Sequence, residues 1–158
     1  MIEIISAADL EQLTDQARKA PRLRANLNVH KSLDAAVQRL FIATEPETYI
    51  RPHRHPQADK WEFFVVLAGQ IDLLLFDPDG RVLQRVVMTP DQIRAVEVEA
   101  GLWHTYVCMQ TGTVALEIKQ GAYIQPTEKD FAPWAPVENS GEAAVYLQWL
   151  RGAEPHQG

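Results

Sequence analysis

The chain has 158 residues, 46% apolar and 23% charged, with a formal net charge of -6, which fits one domain with a core of its own. The acidic balance excludes the basic footprint of a nucleic-acid-binding surface, and no Lys/Arg cluster marks an anionic membrane. A single cysteine, no basic-plus-apolar leader at Met1-Ile2-Glu3-Ile4-Ile5 and no run long enough to span a bilayer fit a disulfide-free, cytoplasmic protein.

In chain order, Ser6 followed by Asp9 has the form of a capping box. Leu10, Leu13 and Ala17 recur at helical spacing until Pro21, which predicts an amphipathic helix over roughly 7–20. Arg22 to Ser32 is polar and irregular and reads as a surface loop, with His30 an ordinary loop histidine. From Val37 the texture changes to short β-rich runs: Val37–Thr44, Thr48–His53, Glu62–Ala68, Ile71–Phe76, Val82–Met88, Arg94–Val98, Trp103–Met109 and Val114–Lys119. Asp77-Pro78-Asp79-Gly80 is a hairpin turn, because proline presets φ and glycine takes the left-handed position. Glu117 and Lys119, alternating on one strand face, read as a solvated pair. About eight short strands at regular spacing predict a sandwich or small barrel. After Gly121 the chain is irregular and proline-rich, with Phe131 and Trp134 packing it down. Ala143, Leu147 and Leu150 then share one helical face, which predicts a short final helix, although Val145, Leu147 and Trp149 also alternate as a strand would. The resulting division is 1–36, helix and arm packing on the barrel; 37–121, barrel; and 122–158, an extension of the same domain.

The chemistry gathers in three segments. In Tyr49-Ile50-Arg51-Pro52-His53-Arg54-His55, strand alternation puts Tyr49, Arg51, His53 and His55 on one face. Two imidazoles at i and i+2 can reach one ion, and neutral imidazole is a good donor to first-row metals. Glu62 opens a strongly apolar strand, and a carboxylate buried there needs a partner or a metal. The residue reading leaves Glu62 open between direct ligand, a group orienting a histidine, and general base, with Asp59 a weaker candidate for the same place. In Gly101-Leu102-Trp103-His104-Thr105-Tyr106-Val107-Cys108, alternation puts His104, Tyr106 and Cys108 together. Cys108 also reads as a small buried hydrophobe, and Trp61 as a core residue.

His53-x-His55, then Glu62 and Gly69, resembles the first cupin motif, and Gly101-x-x-His104 resembles the core of the second. Over a longer span, Pro21-Arg22-Leu23-Arg24-Ala25-Asn26, Val37-Gln38-Arg39, Arg51 to Pro56, Lys60-Trp61-Glu62 and Phe131 to Pro136 are similar to the WbuC family of cupin-fold metalloproteins, which is associated with bacterial surface-polysaccharide gene clusters. The sequence departs from the general cupin pattern at Glu47, where glycine is usual, at Glu99, where proline is usual, at Cys108, where asparagine is usual, and in the six residues between His55 and Glu62.

The resemblance implies a mainly β fold, a single cupin double-stranded β-helix (jelly-roll barrel) with an N-terminal and a short C-terminal helix. It implies one divalent metal ion, Zn, Fe, Ni or Mn, held by His53, His55, Glu62 and His104, and a homodimer. Glu62 and Tyr106 are the candidate proton-transferring groups, and Tyr49, Arg51, Lys60, Phe64 and Cys108 the candidate lining of a substrate pocket. The partner is a small-molecule ligand, with neither nucleic acid nor membrane. Three functions fit: a metal-dependent isomerase or epimerase on a sugar or sugar nucleotide, a three-histidine iron dioxygenase, and a non-catalytic sugar- or metabolite-binding module.

Overall fold

A computed structural model describes residues 1–156. It is mainly β, with eight strands in two antiparallel sheets and two helices: α1 (Ala7–Lys19), β1 (Arg24–Asn28), β2 (Val37–Thr44), β3 (Glu62–Ala68), β4 (Ile71–Phe76), β5 (Val82–Met88), β6 (Ala95–Val98), β7 (Trp103–Cys108), β8 (Thr113–Gln120) and α2 (Ala143–Gly152). One sheet runs β1-β2-β8-β3-β6 and the other β5-β4-β7. Facing each other, they close the barrel of the cupin fold. Among the described residues no helix is long and apolar enough to cross a membrane.

Strand alternation sorts the core into layers. Phe64, Val66, Ile71, Leu73, Met88, Tyr106 and Ala115 point inward and form the barrel core. The opposite face of the small sheet, with Leu74, Phe76, Val82 and Val107, packs against Ala143, Leu147 and Leu150 of α2. Helical spacing therefore wins over strand alternation in this segment, and Val145 is left exposed. Each fully buried leucine there contributes roughly 2 kcal/mol. On the other side, Leu13 and Ala17 of α1 cover Ala43 and Val114 of the large sheet. The capping box is formed: the Ser6 hydroxyl accepts from the Asp9 amide at 3.3 Å and the Asp9 carboxylate accepts from the Ser6 amide at 2.7 Å.

Three local expectations are corrected. The polar segment at Arg24–Asn28 is not a loop: it pairs with β2 from Arg24↔Thr44 to Asn28↔Leu40. As an edge strand it buries little, so Asn26 and Asn28 stay exposed while Ala25 and Leu27 pack toward α1. Thr48–His53 is not a strand: Pro52 has no N–H for a ladder, and only His53 bridges, to His104 and Phe131. Glu117 and Lys119 are not a solvated pair, because the register of β8 turns both inward and leaves Glu117 only 7% exposed.

The Gly69 corner between β3 and β4 tolerates no side chain. Its φ is +75°, and a Cβ would lie 2.1 Å from Thr113 Oγ1 and 2.8 Å from Thr113 Cα. Gly69→Ala combines left-handed strain with a backbone clash and is expected to cost about 3 kcal/mol, read as a lower urea midpoint. An unchanged midpoint would disprove the packing.

Behind the small sheet, Asp72 and Arg85 form an ion pair with side chains 2% and 8% exposed. The Arg85 guanidinium also donates to the carbonyls of Leu150, Arg151 and Ala153, each at 2.9 Å, and so caps the end of α2. The extension before α2 is tied across the barrel by Tyr49 Oη donating to Pro136 O at 2.8 Å and by Trp134 Nε1 donating to Pro78 O at 3.1 Å.

Candidate metal centre

Each of the four candidate ligands reaches the same point by a different route. Glu62 opens β3 and faces inward with Phe64 and Val66. His104 sits on β7 with Tyr106 and Cys108 on the same inward face. His53 has no strand of its own. Its amide donates to His104 O at 3.0 Å, and the His104 amide returns the bond to His53 O at 2.9 Å. The Arg54 amide donates to Asp130 O at 2.9 Å and the Ala132 amide to Pro52 O at 2.8 Å, so this short segment is strung between β7 and the extension. His55 is fixed by the Gly101 amide, which donates to His55 O at 2.7 Å. Gly101 has φ +84°, a turn that glycine adopts without strain.

One ligand atom from each of His53, His55, Glu62 and His104 can be chosen so that all lie within 4.8 Å of one another. The hydrogen-bond network assigns the tautomers. His53 Nδ1 donates to Arg51 O at 3.0 Å and His104 Nδ1 to Leu102 O at 2.8 Å, which turns both Nε2 atoms toward the centre. His104 Nε2 is 3.0 Å from Glu62 Oε2. His55 Nε2 is 2.9 Å from Glu62 Oε1, yet it is buried and not aligned for a hydrogen bond. A buried His55 nitrogen left without a partner beside the His104–Glu62 bond is an arrangement a cation would complete. Three imidazoles and one carboxylate suit Zn, Fe, Ni or Mn alike.

The electrostatics of the centre are set by burial and by its groups acting on one another. Burial, followed by the neighbouring His104, pushes His53 down to about 3, so it is a neutral donor. Burial alone would raise the Glu62 carboxyl, but the His104 and His55 imidazoles outweigh it and hold Glu62 well below the usual carboxylate range. Burial opposes protonation of His104, and its bond to Glu62 more than compensates, raising it.

The centre lies in the wall of an open cavity of about 280 Å³ that His53, Arg54, His55, Lys60, Glu62 and Lys119 help to line. His53 also borders a second, inner cavity of about 90 Å³ within the barrel, lined by Phe64, Tyr106, Cys108 and Glu117 among others.

The other sequence candidates divide between these spaces. Lys60 is at the outer cavity, where its Nζ donates to Ala122 O. Trp61 lines the same wall and donates to Gln120 Oε1. Phe64 stacks on Tyr106 at 4.1 Å between ring centroids, in the inner cavity. The Tyr106 hydroxyl is buried there without a hydrogen-bond partner, and burial, then Glu62 and Glu117, push it well above the usual range. Cys108 is buried, its thiol directed at the Thr44 and Gln110 carbonyls. Tyr49 and Arg51 line neither cavity, because the segment is not a strand and alternation does not apply to it. Tyr49 belongs to the core under α2. Arg51 donates to Ala132 O at 3.0 Å, pairs with Glu128 at 3.3 Å and lies over Phe131.

Sequence reasoning missed Glu117 and Lys119 as site residues. Lys119 Nζ lies 3.7 Å from Glu62 Oε1 and 3.3 Å from Glu117 Oε2. Burial, then the charge of Glu62, pushes Glu117 up to about 7. The available signal was register: Glu62 pairs with Lys119, and Phe64 with Glu117.

Comparison with solved structures supports the fold. The capsular polysaccharide assembling protein CapF from Staphylococcus aureus superposes with a TM-score of 0.54 at 17% identity, over 70% of this chain and 31% of that one. KdgF from Halomonas sp. gives 0.52 at 12% identity, over 66% of this chain and 84% of that one. TT1209 from Thermus thermophilus gives 0.52 at 20% identity, over 76% and 98%. The chain thus spans about a third of the length of CapF and most of the other two. No curated protein sequence matches it. A family model does, over residues 5–88, more than half of the chain, and the protein belongs to that family, described as "Domain of unknown function (DUF6016)".

Proposed function

We propose that the protein is a metal-binding cupin that acts on a small polar metabolite, a sugar or sugar nucleotide, in bacterial surface-polysaccharide metabolism, with isomerase- or epimerase-like chemistry. The observation that carries this reading is the convergence of three imidazoles and one carboxylate on a single point in the wall of an open cavity. The similarity to the WbuC family and the fold shared with a capsular polysaccharide assembling protein support the metabolic setting.

A divalent ion in such a site supplies Lewis acidity toward a carbonyl or hydroxyl oxygen. The residues then divide the remaining work. The Arg51 and Leu102 carbonyls hold His53 and His104 in the donor tautomer, and Lys119 and Glu117 face the same carboxylate ligand from β8. Tyr106 opens to the inner cavity, which counts against it as the group that moves a proton in the outer one. Glu62, with one oxygen toward His55 and the other toward His104, supports a four-ligand centre over a three-histidine dioxygenase.

Elemental analysis of untagged protein, purified without added metal or chelator, is expected to give about one equivalent of Zn, Ni, Mn or Fe, lost in His53→Ala and His104→Ala. Incubation with sugars and sugar nucleotides in D₂O is then expected to show metal-dependent deuterium incorporation beside a carbonyl carbon, followed by NMR. Absence of bound metal, even after reconstitution with each ion, would refute the reading. Metal without exchange on any sugar would leave a binding module.

A further inference from the structure

We infer that Lys119 makes the outer cavity selective for a small hydroxylated carboxylate, held with its carboxylate between the metal position and the Lys119 ammonium; this rests on the metal-binding reading above. Lys119 stands directly across from Glu62 in the β3–β8 register and points inward. Its side chain is 25% exposed and lines the outer cavity, whereas the Glu117 side chain is 9% exposed and faces the inner one. Of the Glu62–Lys119–Glu117 group, Lys119 is the most exposed to a molecule entering the outer cavity.

Charge accounting gives the sign of the ligand. With a divalent cation at the centre, Glu62 is directed to the ion, and Lys119 is opposed by Glu117 alone. The ion and these three side chains then carry at least one net positive charge, which an anion offsets. The rest of the wall adds to the excess. Arg54 and Lys60 are cationic, and their groups are held by the Trp103 ring at 4.4 Å and by the Ala122 carbonyl. Among the described residues, the one further carboxylate on the lining, Asp130, accepts from the Thr127 amide at 2.7 Å and its hydroxyl at 3.1 Å. The edge strand β1 contributes Asn26 and Asn28, whose linked amides (2.7 Å) are suited to ligand hydroxyls. A carboxylate joined to a metal and an ammonium, with hydroxyls beyond it, suits these polar members of the wall, beside apolar surface from Leu33, Leu40, Ile124 and Phe131.

Glycolate and ethylene glycol form a matched probe pair, differing in whether one oxygen-bearing carbon is a carboxylate. Calorimetric titration of the zinc-loaded protein is expected to show glycolate binding at least about tenfold tighter than ethylene glycol. In the charge-neutral double variant Glu117→Gln/Lys119→Met, zinc content is expected to hold while glycolate affinity falls about tenfold and ethylene glycol affinity stays level. Equal binding of the two probes by the native protein would overturn the inference. So would an undiminished glycolate preference in the double variant, which would assign the selectivity to the metal alone. A native protein that takes up no zinc or other ion would instead refute the metal-binding reading itself, and this inference with it.

Discussion

A chelator is expected to lower the thermal midpoint of the metal-loaded protein by about 10 °C and to produce no further fall in His104→Ala. A ligand that binds only the folded chain, present at a thousand times its dissociation constant, stabilises by about 4 kcal/mol. For a chain of this size each kcal/mol moves the midpoint by roughly 2–4 °C. The shift stops short of unfolding because Glu62 links to His104 at 3.0 Å without an ion, and the hydrophobic layers on both sheets do not depend on the centre. His104→Ala starts lower, since it removes a side chain only 1% exposed, but it has no ion left to lose. A native midpoint indifferent to chelator and to added zinc would argue against the metal centre.

Arg85→Met is expected to cost about 3–5 kcal/mol. It leaves the Asp72 carboxylate buried without its cation, the expensive way to break such a pair. It also removes the donors for the three carbonyls at the end of α2. Methionine preserves much of the side-chain volume, so the loss reads as charge and hydrogen bonding, not as a cavity. The double variant Asp72→Leu/Arg85→Met should recover part of the stability by removing the stranded carboxylate, and the cycle isolates the coupling. Urea midpoints measure all three. A loss under about 1 kcal/mol in Arg85→Met would show that water replaces the guanidinium and that α2 does not need its cap.

Where the physics is local, the sequence carried the fold. Short β-rich runs between turn residues located β2 to β8, Ser6 and Asp9 marked the start of α1, and Ala143, Leu147 and Leu150 marked the buried face of α2. The four donors were legible because motif spacing survives without knowledge of three-dimensional neighbours. The losses came where a partner decides. β1 is a strand because β2 offers it an edge, and nothing in Arg24-Ala25-Asn26-Leu27-Asn28 says so alone. Tyr49 turns into the α2 core because Pro52 prevents the ladder that would have fixed alternation. Glu117 and Lys119 alternate with Ala115 exactly as a solvated face would, and only the closing of the barrel decides that their side is the inside.

The segment bearing His53 has a further consequence, in the order in which the chain is made. Its backbone is held on one side by His104 and on the other by Asp130, Phe131 and Ala132, which lie beyond the last strand. A nascent chain that has delivered all eight strands still lacks half of the grip on its first ligand. In the proposed metal centre, loading of an ion would belong to the last stage of synthesis, after the proline-rich extension has closed over the rim. Until then the partly made barrel exposes an incomplete set of donors.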